Sequence, residues 1–279
     1  MKISDECPSC LKGLIERTVS LLPIEEKRKE AILKDALLEF ENLLSPQAIP
    51  IQISRRVQER IKRESGVDDP YREVKEREME LALEIFKRVR PLYPESLKEL
   101  ISLSALGNAL DFFAPEERLR VEMLEGVKYA IDEREELLRR LKPGRRILFV
   151  ADNAGEVYFD LPLLKALGEE HEVIYAVKGG AVQNDLTLDD LKRSGLYERI
   201  GRVISSGVAS PGIELELSSP EFREAFHTSD LIIAKGMGSY ESLSELKGEG
   251  RFFLILRAKC PPVARSLNVP LNSYVAKIL

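Results

Sequence analysis

Apolar residues recur every three or four positions through the first half of the chain and gather into short unbroken runs in the second. The first pattern predicts amphipathic helices. From Glu26 to Leu44, the residues Leu33, Leu37, Phe40 and Leu44 share a face, and Ser45-Pro46 closes the helix because proline disfavours helical backbone in the residue before it. From Asp68 to Arg90 the stripe is Tyr71, Val74, Ala82, Ile85, Phe86 and Val89. A third helix is expected from Pro115 to Leu141 on Val121, Met123, Leu124, Val127, Ile131, Leu138 and Leu141. At Lys142-Pro143-Gly144 the pattern changes, which places the expected boundary between a helical domain (1–142) and an α/β domain (143–279).

Beyond it, strands are expected at 146–151, 172–177, 202–205, 230–234 and 252–256, each nearly continuous in apolar residues, as befits strands covered on both faces. Helical patterns lie between them: Tyr158 to Leu167, Leu188 to Ser194, Pro220 to Phe226, and a short one near Glu241 to Lys247. Ser218 and Glu221 have capping-box spacing ahead of the third. Alternating strand and helix implies an α/β fold with a mostly parallel, doubly wound sheet.

Such sheets bind ligands outside the carboxyl ends of their strands, and polar residues collect at all five exits here. The first exit reads Asp152-Asn153-Ala154-Gly155-Glu156, and the second Lys178-Gly179-Gly180 followed by Asn184-Asp185. The others read Ser205-Ser206-Gly207, Lys235-Gly236-Met237-Gly238-Ser239 and Lys259-Cys260. Asp152, Asn153 and Asp185 offer two carboxylates and an amide carbonyl, a donor set suited to Mg²⁺ or Mn²⁺. Taken singly, Asp152 reads equally well as a helix cap and Asn153 as a turn residue; their company favours the metal. Glycines at Gly179, Gly180, Gly236 and Gly238 allow close approach of an anion, with Lys178 or Lys235 supplying positive charge. A cation facing a lysine across a glycine-lined cleft is the equipment for attack of water on a phosphoryl group, so the expected activity is metal-dependent phosphate-ester hydrolysis.

Composition narrows the choice. With 279 residues, 44% of them hydrophobic, the chain builds a substantial core, and a net charge of −5 without a basic stripe argues against nucleic acid as a partner. No apolar run approaches the roughly 20 residues that span a bilayer, and MKISDECPSC lacks the apolar segment of a signal peptide, so a cytoplasmic protein without a membrane partner is expected. The two histidines, His171 and His227, stand alone, which excludes H-E-x-x-H zinc sites. Cys7-Pro8-Ser9-Cys10 has metal or redox spacing but no second C-x-x-C; a helix-capping disulfide, inert thiols and a place beside the active site all remain open.

The sequence resembles the damage-control phosphatase (ARMT-like) family. The matching segments are CPSC, DPYREVKE (69–76), GNALDFF (107–113), ADNAGEVYFDLPLL (151–164), VKGGAVQNDLTLDDL (177–191), ISSGVASPGIELE (204–216), AKGMGSYESL (234–243) and AKCPPVA (258–264). The resemblance implies a helical N-terminal domain followed by a three-layer α/β/α domain, and metal-dependent hydrolysis of small phosphomonoesters, sugar phosphates or damaged phosphometabolites. It further implies metal ligands at Asp152, Asn153 and Asp185, catalytic roles for Asp152, Asp185 and Lys235, and Mg²⁺, Mn²⁺, Co²⁺ or Ni²⁺ as cofactor. Substrate contacts are expected from Asn108, Asp111, Glu156, Lys178, Gly179, Ser206, Gly236, Ser239 and Glu241. For Asn108 and Asp111, loop capping is the equal alternative. Gly238-Ser239-Tyr240-Glu241 departs from the family's usual Gly-Asn-Phe-Glu. The rival readings are an S-adenosylmethionine-dependent carboxyl methyltransferase and a noncatalytic binder of phosphometabolites. The methyltransferase is disfavoured by the single glycine of the first loop and by Lys178 where an acidic residue would close the second strand.

Overall fold

The apolar runs of the second half become neighbouring strands of one sheet. A computed structural model of the chain describes residues 1–110, 117, 123–246 and 250–279. The strands are β1 (Tyr129–Asp132), β2 (Arg146–Val150), β3 (Glu172–Val177), β4 (Arg202–Ser205), β5 (Leu231–Lys235), β6 (Phe252–Arg257) and β7 (Tyr274–Ile278), in the order β1-β7-β6-β5-β2-β3-β4. β4, β3, β2, β5 and β6 run parallel; β7 is antiparallel to β6 and parallel to β1.

Successive residues of the strands face opposite layers. Ile147, Phe149, Tyr175 and Ile233 point into one core with α4 (Arg72–Val89), α5 (Leu97–Gly107) and α7 (Val157–Gly168). Leu148, Val150, Ala176 and Leu254 point into another, with α9 (Pro220–Thr228), α10 (Gly236–Leu243) and α11 (Pro261–Leu267). Burial on both sides is why the strands read as unbroken apolar runs, at about 1.5–3 kcal/mol for each large side chain removed from water. The described helices also include α6 (Arg134–Arg140) and α8 (Leu188–Arg193). A third core, around Ile15, Phe40, Val57 and Ile61, belongs to α1 (Cys7–Ser20), α2 (Glu26–Leu43) and α3 (Pro50–Ser65). The sheet's own core thus draws on elements from both sides of residue 142.

Three local expectations are corrected. The segment 115–141 is not one helix: Tyr129–Asp132 pairs with β7, so edge pairing overrides the helical spacing of Val127 and Ile131. α9 is capped by Ser219, whose hydroxyl accepts from Phe222 N at 3.1 Å, while Ser218 donates to Glu214 O. The last crossover helix starts at Gly236, directly after β5, five residues before the expected Glu241. β7 follows a proline-containing loop and went unread.

Candidate active site

From β2 the chain crosses to β3 on one side, and later returns to β5 on the other side of β2, so the sheet's switch point lies between the carboxyl ends of β2 and β5. The Asp152 loop leaves β2 there. The Asp185 loop follows β3, and backbone bonds stitch the two together, Ala154 N to Asn184 O (2.9 Å) and Leu186 N to Asp152 O (2.8 Å), while Lys178 N to Leu186 O (2.9 Å) closes the Asp185 loop on itself. Asn153 and Asp185 form an antiparallel bridge. Main-chain hydrogen bonds therefore hold the backbones of Asp152, Asn153 and Asp185 side by side. Asp152 is held from the β5 side by Gly236, whose φ is +79° and where a Cβ would stand 2.0 Å from Asp152 Oδ2.

Around these groups lies a polar network in the interior. Asp152 Oδ2 accepts from Asn108 Nδ2 (3.1 Å) and Asn153 Nδ2 (3.3 Å), and Glu156 Oε1 accepts from the same two amides, both at 2.8 Å. Asn108 is oriented by accepting Arg257 N at 2.7 Å. Burial and the charges of Glu156 and Asp185 raise the Asp152 carboxyl well above the ordinary range. Burial pushes Asp185 up to about 6 although Lys178 opposes the rise. Lys178 Nζ stands 3.2 Å from Asp185 Oδ2 without hydrogen-bond geometry, leaving that buried oxygen with no hydrogen-bond partner. For Glu156, the positive charges of Lys235 and Lys259 outweigh burial and hold it below its ordinary value.

Other sequence-predicted residues have different places. Lys235 has no exposed surface: its ammonium donates to Ser104 O (2.9 Å) and Asp160 Oδ1 (2.8 Å) and pairs with Glu156 Oε2 (2.8 Å), so its charge is met by protein oxygens in the interior. Lys178 is nearly buried and donates to Pro211 O at 2.8 Å. Gly179 gives its N–H to Val208 O, tying the β3 and β4 loops together, and Ser206 gives its hydroxyl to the same carbonyl within the β4 loop. Ser239 is fully buried, with its hydroxyl unpartnered. Glu241 lies away from the cluster: burial raises it to about 7 against the pull of the N-terminal amine, and its charge helps raise the Cys10 and Cys260 thiols. Asp111 lies outside the described residues. Cys7, Cys10 and Cys260 are free thiols.

Glu78 and Asp160 were missed by sequence reasoning, while Asn184 and Lys259, named only as residues of the second and fifth exits, take specific partners here. Asp160 takes bonds from Lys235, Ser104 (2.6 Å) and Tyr175 (3.1 Å), all in the interior. Lys259 donates to Leu110 O (3.0 Å), and its charge acts on Asp152 and Glu156. A cleft of about 310 Å³, lined by Arg72, Lys178, Gly179, Gly180 and Asp189 among others, opens beside the ends of β3 and β4.

An α/β fold with an acidic cluster at its switch point defines a class of ligand-binding sheet protein, and comparison supplies the family. The damage-control phosphatase ARMT1-like domain matches residues 3–275, and the chain belongs to that family. A damage-control phosphatase of Pyrococcus horikoshii is 37% identical, over 99% of this chain and 97% of its own length. One of Archaeoglobus fulgidus is 30% identical over the full length of both chains, and an uncharacterized protein of Methanocaldococcus jannaschii is 33% identical over 99% and 95%. The crystal structure of a DUF89 family protein from P. horikoshii superposes with a TM-score of 0.90 at 34% identity, covering 100% of this chain and 99% of that one. Membership supports a phosphatase role. No helix of the described residues is long and apolar enough to cross a membrane.

Proposed function

We propose that this phosphatase hydrolyses small phosphomonoesters, with a divalent cation held by Asp152, Asn153 and Asp185. One observation supports the reading: main-chain bonds lock the loops of Asp152, Asn153 and Asp185 together beside the switch point, and the buried Asp185 Oδ2 is faced by the Lys178 ammonium at 3.2 Å. Among the described residues no group of three or more His, Cys, Asp or Glu side chains is arranged as metal ligands. The proposed donor set of two carboxylates and an amide is of another kind, and it suits a hard cation. Burial, with repulsion from neighbouring carboxylates adding to it, raises Asp152 and Asp185, and a bound cation would offset both.

Glu156 holds the Asn153 amide by its nitrogen, which leaves Oδ1 as the oxygen available for ligation. The Lys235–Asp160 pair holds Glu156 in turn. Lys178, beside Asp185 and on the wall of the 310 Å³ cleft, is the cation placed to meet an incoming phosphoryl oxygen. When bound, a divalent ion supplies Lewis-acid polarisation of the ester and lowers the pKa of water.

The test is a phosphate-release screen over small phosphomonoesters with Mg²⁺, Mn²⁺, Co²⁺ or Ni²⁺, repeated with chelator. Release should depend on metal and fall by more than about a hundredfold in folded Asp152→Ala and Asp185→Ala proteins, beyond the loss typical of outer-sphere changes. Release untouched by chelation, or kept in both variants, refutes the reading. Methyl transfer from S-adenosylmethionine without phosphate release would favour the methyltransferase instead.

A further inference from the structure

Glu78 is a carboxylate in the core stripe of α4, 2% exposed, four residues from buried Val74 and four from buried Ala82. Its two oxygens serve different loops. Oε1 accepts from Gly155 N at 3.2 Å, two residues past Asn153, and Oε2 accepts from Asn184 Nδ2 at 2.8 Å, immediately before Asp185. Contact with the first loop is close enough that a Cβ on Gly155 would stand 3.0 Å from Glu78 Cγ. One turn earlier on the same helix, buried Lys75 reaches Asp190 Oδ2 at 2.8 Å, with Asp69 2.6 Å away on its other side. That Asp190 oxygen also takes the Thr187 N–H and hydroxyl, in the capping box that starts α8 two residues beyond Asp185. A single helix face from the N-terminal half therefore grips both loops of the site.

We propose that Glu78 is a positioning residue: by bridging Gly155 and Asn184 it sets the register between the loop carrying Asp152 and Asn153 and the loop carrying Asp185. The consequence for metal binding rests on the function proposed above; the bridge does not. The hydrogen bonds of Glu78 go to Gly155 and Asn184 and not to Asp152, Asn153 or Asp185, so its effect is on where the loops stand.

The experiment pairs hydrogen exchange with Mn²⁺ titration on the full chain. Glu78→Leu keeps the approximate bulk and removes both acceptors. Glu78→Gln keeps an acceptor for Gly155 N, and its amide bonds Asn184 once that side chain turns over. Exchange is read at Ala154 and Leu186, whose N–H groups join the two loops, with the amides of β5 as internal control. In Glu78→Leu, exchange at both should speed by about tenfold or more with β5 unchanged, and Mn²⁺ affinity should fall by about 10–100-fold. Glu78→Gln should stay within about threefold of the parent on both readouts, below that range. Unchanged exchange in Glu78→Leu, equal loss in the two variants, loss spread through β5, or faster exchange with Mn²⁺ affinity intact would overturn the proposal. A parent that binds no Mn²⁺ refutes the metal reading, and the exchange data then decide the bridge by themselves.

Discussion

Lys235→Met separates a residue that organises the site from one that meets substrate. Methionine keeps most of the volume and removes the ammonium. Asp160 and Glu156, both fully buried, then lose their shared cation. Removing one partner of a buried ion pair costs about 3–5 kcal/mol, out of a typical total stability of about 5–15. At about 2–4 °C per kcal/mol, the melting temperature should fall on the order of 10 °C. The sign of the pH dependence follows from the carboxyls. Asp160, already raised by burial, rises further without Lys235, and Glu156 loses the charge that holds it low, so over a wider pH range the folded state holds more protons than the unfolded chain and stability drops as pH rises. The deficit should therefore be larger at pH 8 than at pH 5. The parent shows no such term from Lys235 in this range, because its own pKa lies above the ordinary lysine value and its contribution is lost only in strong alkali. Thermal unfolding of both proteins at the two pH values measures this. Equal stabilities, or a deficit no smaller at pH 5, would refute the argument; unchanged stability with a raised KM would return Lys235 to the cleft-facing role expected from sequence.

Two further outcomes follow from the geometry. Gly236→Ala adds a methyl that must displace the Asp152 carboxylate and strains a backbone at φ +79°, so Mn²⁺ affinity should fall by at least about tenfold; unaltered affinity in a titration would show that Asp152 does not need its present position. Burial holds Glu241 at about 7 against 4.5 ordinarily, so it makes stability decline as pH climbs between those values. Glu241→Gln should then melt higher than the parent at pH 8 and level with it near pH 4.5, and a gain of equal size at both pH values would contradict this origin.

Much of this architecture was legible because both of its governing patterns are local. The inner strands β2, β3, β5 and β6, buried on both faces, announce themselves as apolar runs, and the exits carry the polar residues wherever the strand order puts them. β1 was lost for the converse reason: it is an edge strand, only half-buried, and Tyr129 and Ile131 fit helical spacing with their neighbours until β7 pairs with them. The grouping of Asp152, Asn153 and Asp185 was legible from residue type at successive exits, whereas the support beneath it depends on partners far apart in sequence, such as Lys235 and Asp160, separated by 75 positions.

Some of that support nevertheless left a trace. In α4 the stripe runs Tyr71, Val74, Ala82, Ile85, Val89, and at its centre Lys75 and Glu78 occupy positions whose spacing demands burial. Asp160 does the same inside the apolar run VYFDLPLL of α7. A charge at a core position is costly without a partner, so each such residue implies an oppositely charged or hydrogen-bonding group elsewhere in the chain. Here the implied partners are Asp190, Asn184 and Lys235, all in or next to the strand exits that sequence reading had already marked. The misplaced charges of the helices and the polar exits of the sheet are two halves of one site, and only their pairing required three dimensions.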